Sequence, residues 1–343
     1  MRRRALGNTV SDLVRWTFLP ELGQYPAVCE PVTSGVDLPT WAAHHWEEIH
    51  RRLIENSGAI LFRGFPVANV REFNDYINAV SGGALEYKFR ASPRTQIQQD
   101  LNVFTSTDYP AEESIFAHNE HSYSPVFPLY LFFYCDVPPT TGGETPIGDT
   151  RLMQRQIRPD VFEKFVRKKI MYVRNFGDGF GLPWQVVFQT SDPAEVDAYC
   201  RNIGVQTEWK SGNRLRTRQV GHALLRHPVT GEPVWCNHGT FFHELTLPAK
   251  AREELRASFG PEDLPQNTFY GDGTPIEPEF IEHLQGLYRD VMVMFPWQRG
   301  DVLMLDNMLS LHARSPYTGP RRVLVAMAKA CRAEDLRIEE QAQ

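Results

Sequence analysis

Apolar and polar positions alternate in two rhythms along the chain. Residues 39–54 carry apolar side chains at helical spacing, with Trp41, Ile49 and Leu53 on one stripe, and 58–64, GAILFRG, reads as a short buried strand closed by Gly64. After residue 115 the texture shifts to short β-rich runs: SIFAH, PLYLFFYCDV, KIMYVRNF, ALLRHP, EPVWCN, DVMVMFPW, DVLMLDN and RVLVAMAKA. Their spacing predicts a barrel or sandwich. Two segments between them, 192–202 and 277–289, have helical periodicity and are expected as insertions packed on the β core. Pro and Gly are spread as turn punctuation, without an internal repeat or low-complexity linker. The expectation is one domain over 1–343, with an N-terminal helix and strand segment to 115 and a β core with insertions over 116–330.

Composition narrows the function classes. The chain has 343 residues, a formal net charge of -6 and no long basic run beyond the initial MRRR, so nucleic acid is not an expected partner. No stretch approaches the ~18 apolar residues of a membrane span, and the N-terminus lacks a signal-peptide core, so a cytoplasmic enzyme without membrane partners is expected. The sequence is compatible with a homo-oligomer. The five cysteines are widely spaced, with no C-x-x-C pair, and read as reduced core thiols.

Candidate chemistry starts at FAHNEHSYSPVF, 116–127. With 11 histidines and 42 acidic residues in 343, about one His-x-acid match is expected by chance, and the chain has two. His45-x-Glu47 lies in the helical segment, where residues two apart diverge by roughly 200° and cannot chelate one ion. His118-x-Glu120 opens the β region, where i and i+2 share a face. The best third donor is His312, at the end of the apolar strand in GDVLMLDNMLSLHAR. Two histidines and a carboxylate occupy three positions of an octahedral Fe(II) and leave three open, although the same set suits tetrahedral zinc in a hydrolase, or a metal-binding protein without turnover. Ten residues after His312, alternation in GPRRVLVAM puts Arg322, Leu324 and Ala326 on one face, and an inward Arg322 would need an anion. The paired glycines of PPTTGGETPIGDTR permit a tight turn, after which Thr145 could add a hydroxyl. His121, His238 and His243 receive no ligand role.

Taken in order, HNEHSY, PPTTGGETPIGDTR, LPWQVVFQT, WCNHGTFFHEL, YGDGTPI, FPWQRGDVLMLDNMLSLHAR and GPRRVLVAM resemble the TauD/TfdA family of Fe(II)/2-oxoglutarate-dependent dioxygenases, in particular its SyrP-like branch. The resemblance spans roughly 58–330. It implies a mainly β fold with flanking helices, built on a double-stranded β-helix (jelly-roll, cupin-like) core. It also implies Fe(II) at His118, Glu120 and His312, 2-oxoglutarate as cosubstrate with its distal carboxylate on Arg322 and Thr145, and O2. Glu120, a longer arm than the usual aspartate, argues against halogenation. The expected reaction is hydroxylation of a small amino-acid-like substrate, free or tethered to a carrier protein, in specialised metabolite biosynthesis. Desaturation, cyclisation or epimerisation would begin the same way, and a cupin-like metal-binding protein is the non-enzymatic alternative. WCNH stands where WFNQ is expected.

Overall fold

A computed structural model describes residues 13–23, 25–86, 94–107, 109–177, 179 and 181–338. The MRRR run lies outside the described residues. Two sheets form the core. The larger has seven strands, in the order Val14–Phe18, Ala27–Pro31, Ala59–Phe62, Val302–Asp306, Val126–Val137, Arg322–Arg332 and Phe104–Thr105. All pairs are antiparallel except Ala27–Pro31 with Ala59–Phe62. The smaller orders Met292–Val293, Ile147–Asp149, Ser310–Arg314 and Ile115–His118.

The period-2 geometry of a strand decides what each face of the large sheet does. Leu131, Phe133, Leu303, Leu305, Val323, Val325 and Met327 point inward and pack with Ile147 of the small sheet. Phe132, Tyr134, Met304, Leu324, Ala326 and Ala328 point outward. There they are covered by the helices Leu38–His44, Trp46–Glu55 and Val70–Ser81. Both faces are buried, which is why these strands read as continuous apolar runs rather than as alternation. This is the double-stranded β-helix that the motifs implied.

Most expected elements form. The strand at 58–64 is Ala59–Phe62, and the two inserted helices are Pro193–Asn202 and Pro278–Asp290. The helix expected over 39–54 is instead two, Leu38–His44 and Trp46–Glu55, broken at His45. The DVMVMFPW run yields only Met292–Val293 as strand. Between the core strands, a further four-stranded sheet (Gln206–Lys210, Arg214–Gly221, Ile170–Phe176, Gln266–Tyr270) carries its own apolar cluster with Pro159–Lys168, Pro193–Asn202 and Pro278–Asp290.

Candidate metal centre and cosubstrate pocket

His118 is the last residue of the Ile115–His118 strand, and His312 lies directly across from it on Ser310–Arg314. Their ring centroids are 4.3 Å apart. Glu120 follows in a turn, and its Oε2 lies 3.6 Å from His118 Nε2 and 3.5 Å from His312 Nε2. One ligand atom from each of the three residues lies within 4.8 Å of the others. His118 Nδ1 donates to the Phe116 carbonyl at 2.8 Å, which fixes the tautomer and leaves the Nε2 lone pair directed at the centre. Burial, with the neighbouring His118, pushes His312 down to about 4, so it is a neutral donor at physiological pH. Burial alone would push the Glu120 carboxyl up. Arg94 and the two histidines outweigh it and hold Glu120 well below the usual carboxylate range. One anionic oxygen and two ring nitrogens, converging at distances too long for good hydrogen bonds, make a donor set that fits a divalent cation.

Arg94 is a functional-site residue that sequence reasoning missed. Its guanidinium is buried and its Nη2 lies 3.0 Å from Glu120 Oε2, the oxygen that also faces both histidines. No motif surrounds it in SPRTQIQQD, and only the folded chain brings it to a carboxylate 26 residues away.

The adjoining cavity is lined by His118, His312, Phe133, Thr145, Arg94 and Arg321. Thr145 is buried, and its hydroxyl accepts from Trp297 Nε1 at 3.3 Å. Arg321 donates to the Gly143 carbonyl at 2.8 Å and to Ser106 Oγ at 2.9 Å. Burial and the neighbouring Arg314 push the Arg321 guanidinium down to about 10, as expected of a cation in surroundings with little compensating negative charge.

Arg322 does not face this cavity, and the sequence expectation is corrected on that point. Its side chain is exposed and paired with Asp136. Leu324 and Ala326 do share a face, but it is the outer one, where they meet the helix layer. Arg321 continues the inward parity of Val323, Val325 and Met327. A bulge between Arg322 and Val323, with Arg322 opposite Val137 and Val323 opposite Cys135, marks where the strand leaves the regular ladder.

The remaining histidines sort by contact. His121 has a left-handed backbone, φ 57°, and is buried with Nε2 3.5 Å from Glu120 Oε1. His238 stacks edge-on to His118 at 5.4 Å and shares a 2.8 Å hydrogen bond with Ser122, so the WCNH run does reach the wall of the centre. His243 is separated from His238 by a helical turn, Gly239–Phe242, rather than by strand, and its Nδ1 accepts from the Leu245 N–H.

Residues 22–327 match the family profile "Taurine catabolism dioxygenase TauD, TfdA family". The chain belongs to this family. It is 36% identical over 295 residues to the dapdiamide synthesis protein DdaC of Enterobacter agglomerans, covering 86% of this chain and 88% of DdaC. A clavaminate synthase-like protein of Arabidopsis thaliana is 28% identical over 321 residues, covering 89% and 94%. Among solved structures, PvcB, described as an Fe, alpha-ketoglutarate dependent oxygenase from an isonitrile synthetic pathway, superposes with a TM-score of 0.55 at 16% identity, covering 97% of this chain and 98% of that one. AAD-2 in complex with Mn(II) and N-oxalylglycine gives 0.52 at 12%, covering 92% and 96%. The chain is therefore a dioxygenase, an oxidoreductase that depends on Fe(II) and 2-oxoglutarate. Among the described residues no helix is long and apolar enough to cross a membrane.

Proposed function

We propose that this dioxygenase hydroxylates an unactivated C–H bond of a small amino-acid-like substrate in specialised metabolite biosynthesis. In this reading His118, Glu120 and His312 hold Fe(II), and Arg321 with Thr145 holds the distal carboxylate of 2-oxoglutarate. The observation that carries the site assignment is the convergence of the three donors beside a cavity whose wall presents a half-buried arginine and a threonine hydroxyl. The relation to a dapdiamide synthesis protein supports the biosynthetic setting.

Bound Fe(II), with 2-oxoglutarate and dioxygen, supplies the oxidising chemistry that inserts oxygen into a C–H bond and releases succinate and carbon dioxide. The chain's own groups make that chemistry controllable. Glu120, kept ionised by Arg94, and the imidazoles of His118 and His312 are the groups that would hold the ion. The Arg321 fork offers a carboxylate the bidentate geometry that a lysine lacks. Phe133, packed 5.4 Å from His312, and Phe241, 4.6 Å from His118, help exclude water from the centre. Arg94 places a second cation on the same cavity, suited to the carboxylate of an amino-acid-like substrate, whether free or on a carrier protein.

The test is succinate formation from 2-oxoglutarate by the iron-loaded protein, followed by mass spectrometry of amino-acid-like candidates for a gain of one oxygen. Wild-type protein that binds iron yet forms no succinate from 2-oxoglutarate would sink the site assignment. Loss of two hydrogens in place of oxygen gain would replace hydroxylation by desaturation.

A further inference from the structure

Asn307 lies in the turn between the Val302–Asp306 strand and the Ser310–Arg314 strand that bears His312, and it is completely buried. Its side-chain amide grips the backbone of one residue, Glu120, at both its N–H and its carbonyl. Oδ1 accepts the Glu120 N–H at 2.7 Å, and Nδ2 donates to the Glu120 carbonyl at 2.9 Å and to the Pro128 carbonyl at 2.8 Å. The backbone joins in: the Asn307 carbonyl accepts from Asn119 Nδ2 at 2.6 Å, and its N–H donates to the Leu129 carbonyl at 2.7 Å.

This matters because Glu120 sits past the end of its strand. The Ile115–His118 ladder stops at His118, so no sheet partner holds the next two peptides. Asn307 supplies that partner with its side chain and is joined covalently, five residues on, to His312. Pro128 and Leu129 anchor the same group to the long Val126–Val137 strand. Both Nδ2 hydrogens and the oxygen are engaged, and the pattern of one donor and two acceptors fixes the amide orientation. Aspartate has the same shape but lacks both donors, and would set a carboxylate against two carbonyl oxygens.

We infer that Asn307 is a positioning residue that sets the carboxylate of Glu120 against His118 and His312 by clamping the Glu120 backbone on both sides of its Cα. It touches neither metal nor substrate and acts through Glu120 alone. A ligand oxygen displaced by half an ångström is a poor ligand, and partners that orient ligands typically contribute about 10–100-fold to metal affinity. The inference rests on the reading of His118, Glu120 and His312 as the metal site.

The experiment compares wild type, Asn307→Asp, Asn307→Ser and Asn175→Ser as apo proteins and in anaerobic titrations with Co(II). Asn175 is the control, another buried asparagine, whose Nδ2 donates to the Glu262 and Leu264 carbonyls at 2.7 Å in the inserted sheet, away from the ligands. Both serine variants should lose thermal stability. Only the Asn307 variants should weaken Co(II) binding, by roughly 10–100-fold, and alter the visible d–d spectrum of the bound ion. Asn307→Ser that binds Co(II) with the affinity and spectrum of Asn175→Ser would overturn the inference, leaving Asn307 a purely structural residue. Wild-type protein that binds no Co(II), or binds it unchanged after Glu120→Ala, would instead overturn the reading of the metal site.

Discussion

Two buried carboxylates, Glu120 and Asp306, each sit beside histidine, yet they are built for different ends. Asp306 is completely buried and fully occupied. Its Oδ1 accepts the N–H groups of Met308 and Leu309 at 3.0 and 3.1 Å, and its Oδ2 takes the Nε2 hydrogen of His227 at 3.0 Å. His227 is occupied too, because Nδ1 accepts the N–H of Val229 and of Thr230. Around Glu120 the Nε2 atoms of His118 and His312 stand 3.6 and 3.5 Å off and converge with Oε2. A polar cluster that satisfies itself belongs to the fold, and one that leaves donors aimed at a common point is built for a ligand.

The largest effects should come from exchanging the roles of the two clusters' histidines. His312→Ala removes a neutral donor and should abolish the visible charge-transfer band that 2-oxoglutarate gives with Fe(II) under anaerobic conditions, while the fold survives. His227→Ala leaves Asp306 Oδ2, a buried acceptor, without its donor and should cost about 1–3 kcal/mol of stability, with metal affinity kept in whatever remains folded. Denaturant melts and metal titrations on both variants give the answer. A His227→Ala protein of wild-type stability, or a His312→Ala protein with its band intact, would erase the distinction.

The same contrast separates two adjacent arginines. Arg322 is exposed and pairs with Asp136, whereas Arg321 lies on the cavity wall. Arg321→Ala should weaken use of 2-oxoglutarate by about 2–5 kcal/mol, read as the apparent KM in succinate formation, and Arg321→Lys should recover only part. Arg322→Ala should change it little. A steep rise on removing Arg322, with Arg321→Ala near wild type, would return the anchor to the position first expected.

How the sequence misplaced that arginine says what it can carry. His118-x-Glu120 and His312 were legible because strand periodicity and strand ends are local properties, and the structure does bring them together. The shared face of Leu324 and Ala326 was also read correctly, but which parity faces the centre depends on which layer covers each face. The helices that cover the outer face come from 38–81, far away in sequence. Arg94 and Asn307 left no trace for a related reason: a loop arginine and a turn asparagine gain their meaning only from partners 26 and 187 residues away. The break of the first helix at His45 was likewise invisible to apolar spacing, which continues across it.

Arg94 offers a sharper test of the open cluster, with opposite signs for stability and binding. In the apo protein it compensates Glu120; a bound divalent ion takes over that role and is repelled by the guanidinium. Arg94→Ala should therefore lower the apo melting temperature and enlarge the rise that saturating Mn(II) produces. A smaller metal-induced rise than in wild type would mean that Arg94 supports the ion rather than standing in for it.

The smallest expected effect is a pH slope. Burial pushes His121, His243 and His312 each down to about 4. A histidine depressed in the folded state stays neutral there while the unfolded chain takes up a proton near pH ~6.5. Its contribution to stability is thus complete above pH ~6.5 and is lost as the pH falls from there towards 4, so apo stability should rise with pH across that window. His243 separates the fold's share from the metal site's, because it lies apart from the three donors and uses Nδ1 to accept the Leu245 N–H, a bond that protonation breaks. Replacing it in His243→Gln keeps an acceptor and removes the titration. The slope of unfolding free energy between pH 4.5 and 6 should then fall by at most about 1.4 kcal/mol per pH unit, one proton's worth, with Co(II) affinity at pH 7 unchanged. An unaltered slope would mean that His243 takes up its proton in the folded protein as readily as in the unfolded chain, and a loss of Co(II) affinity would place it within reach of the metal centre.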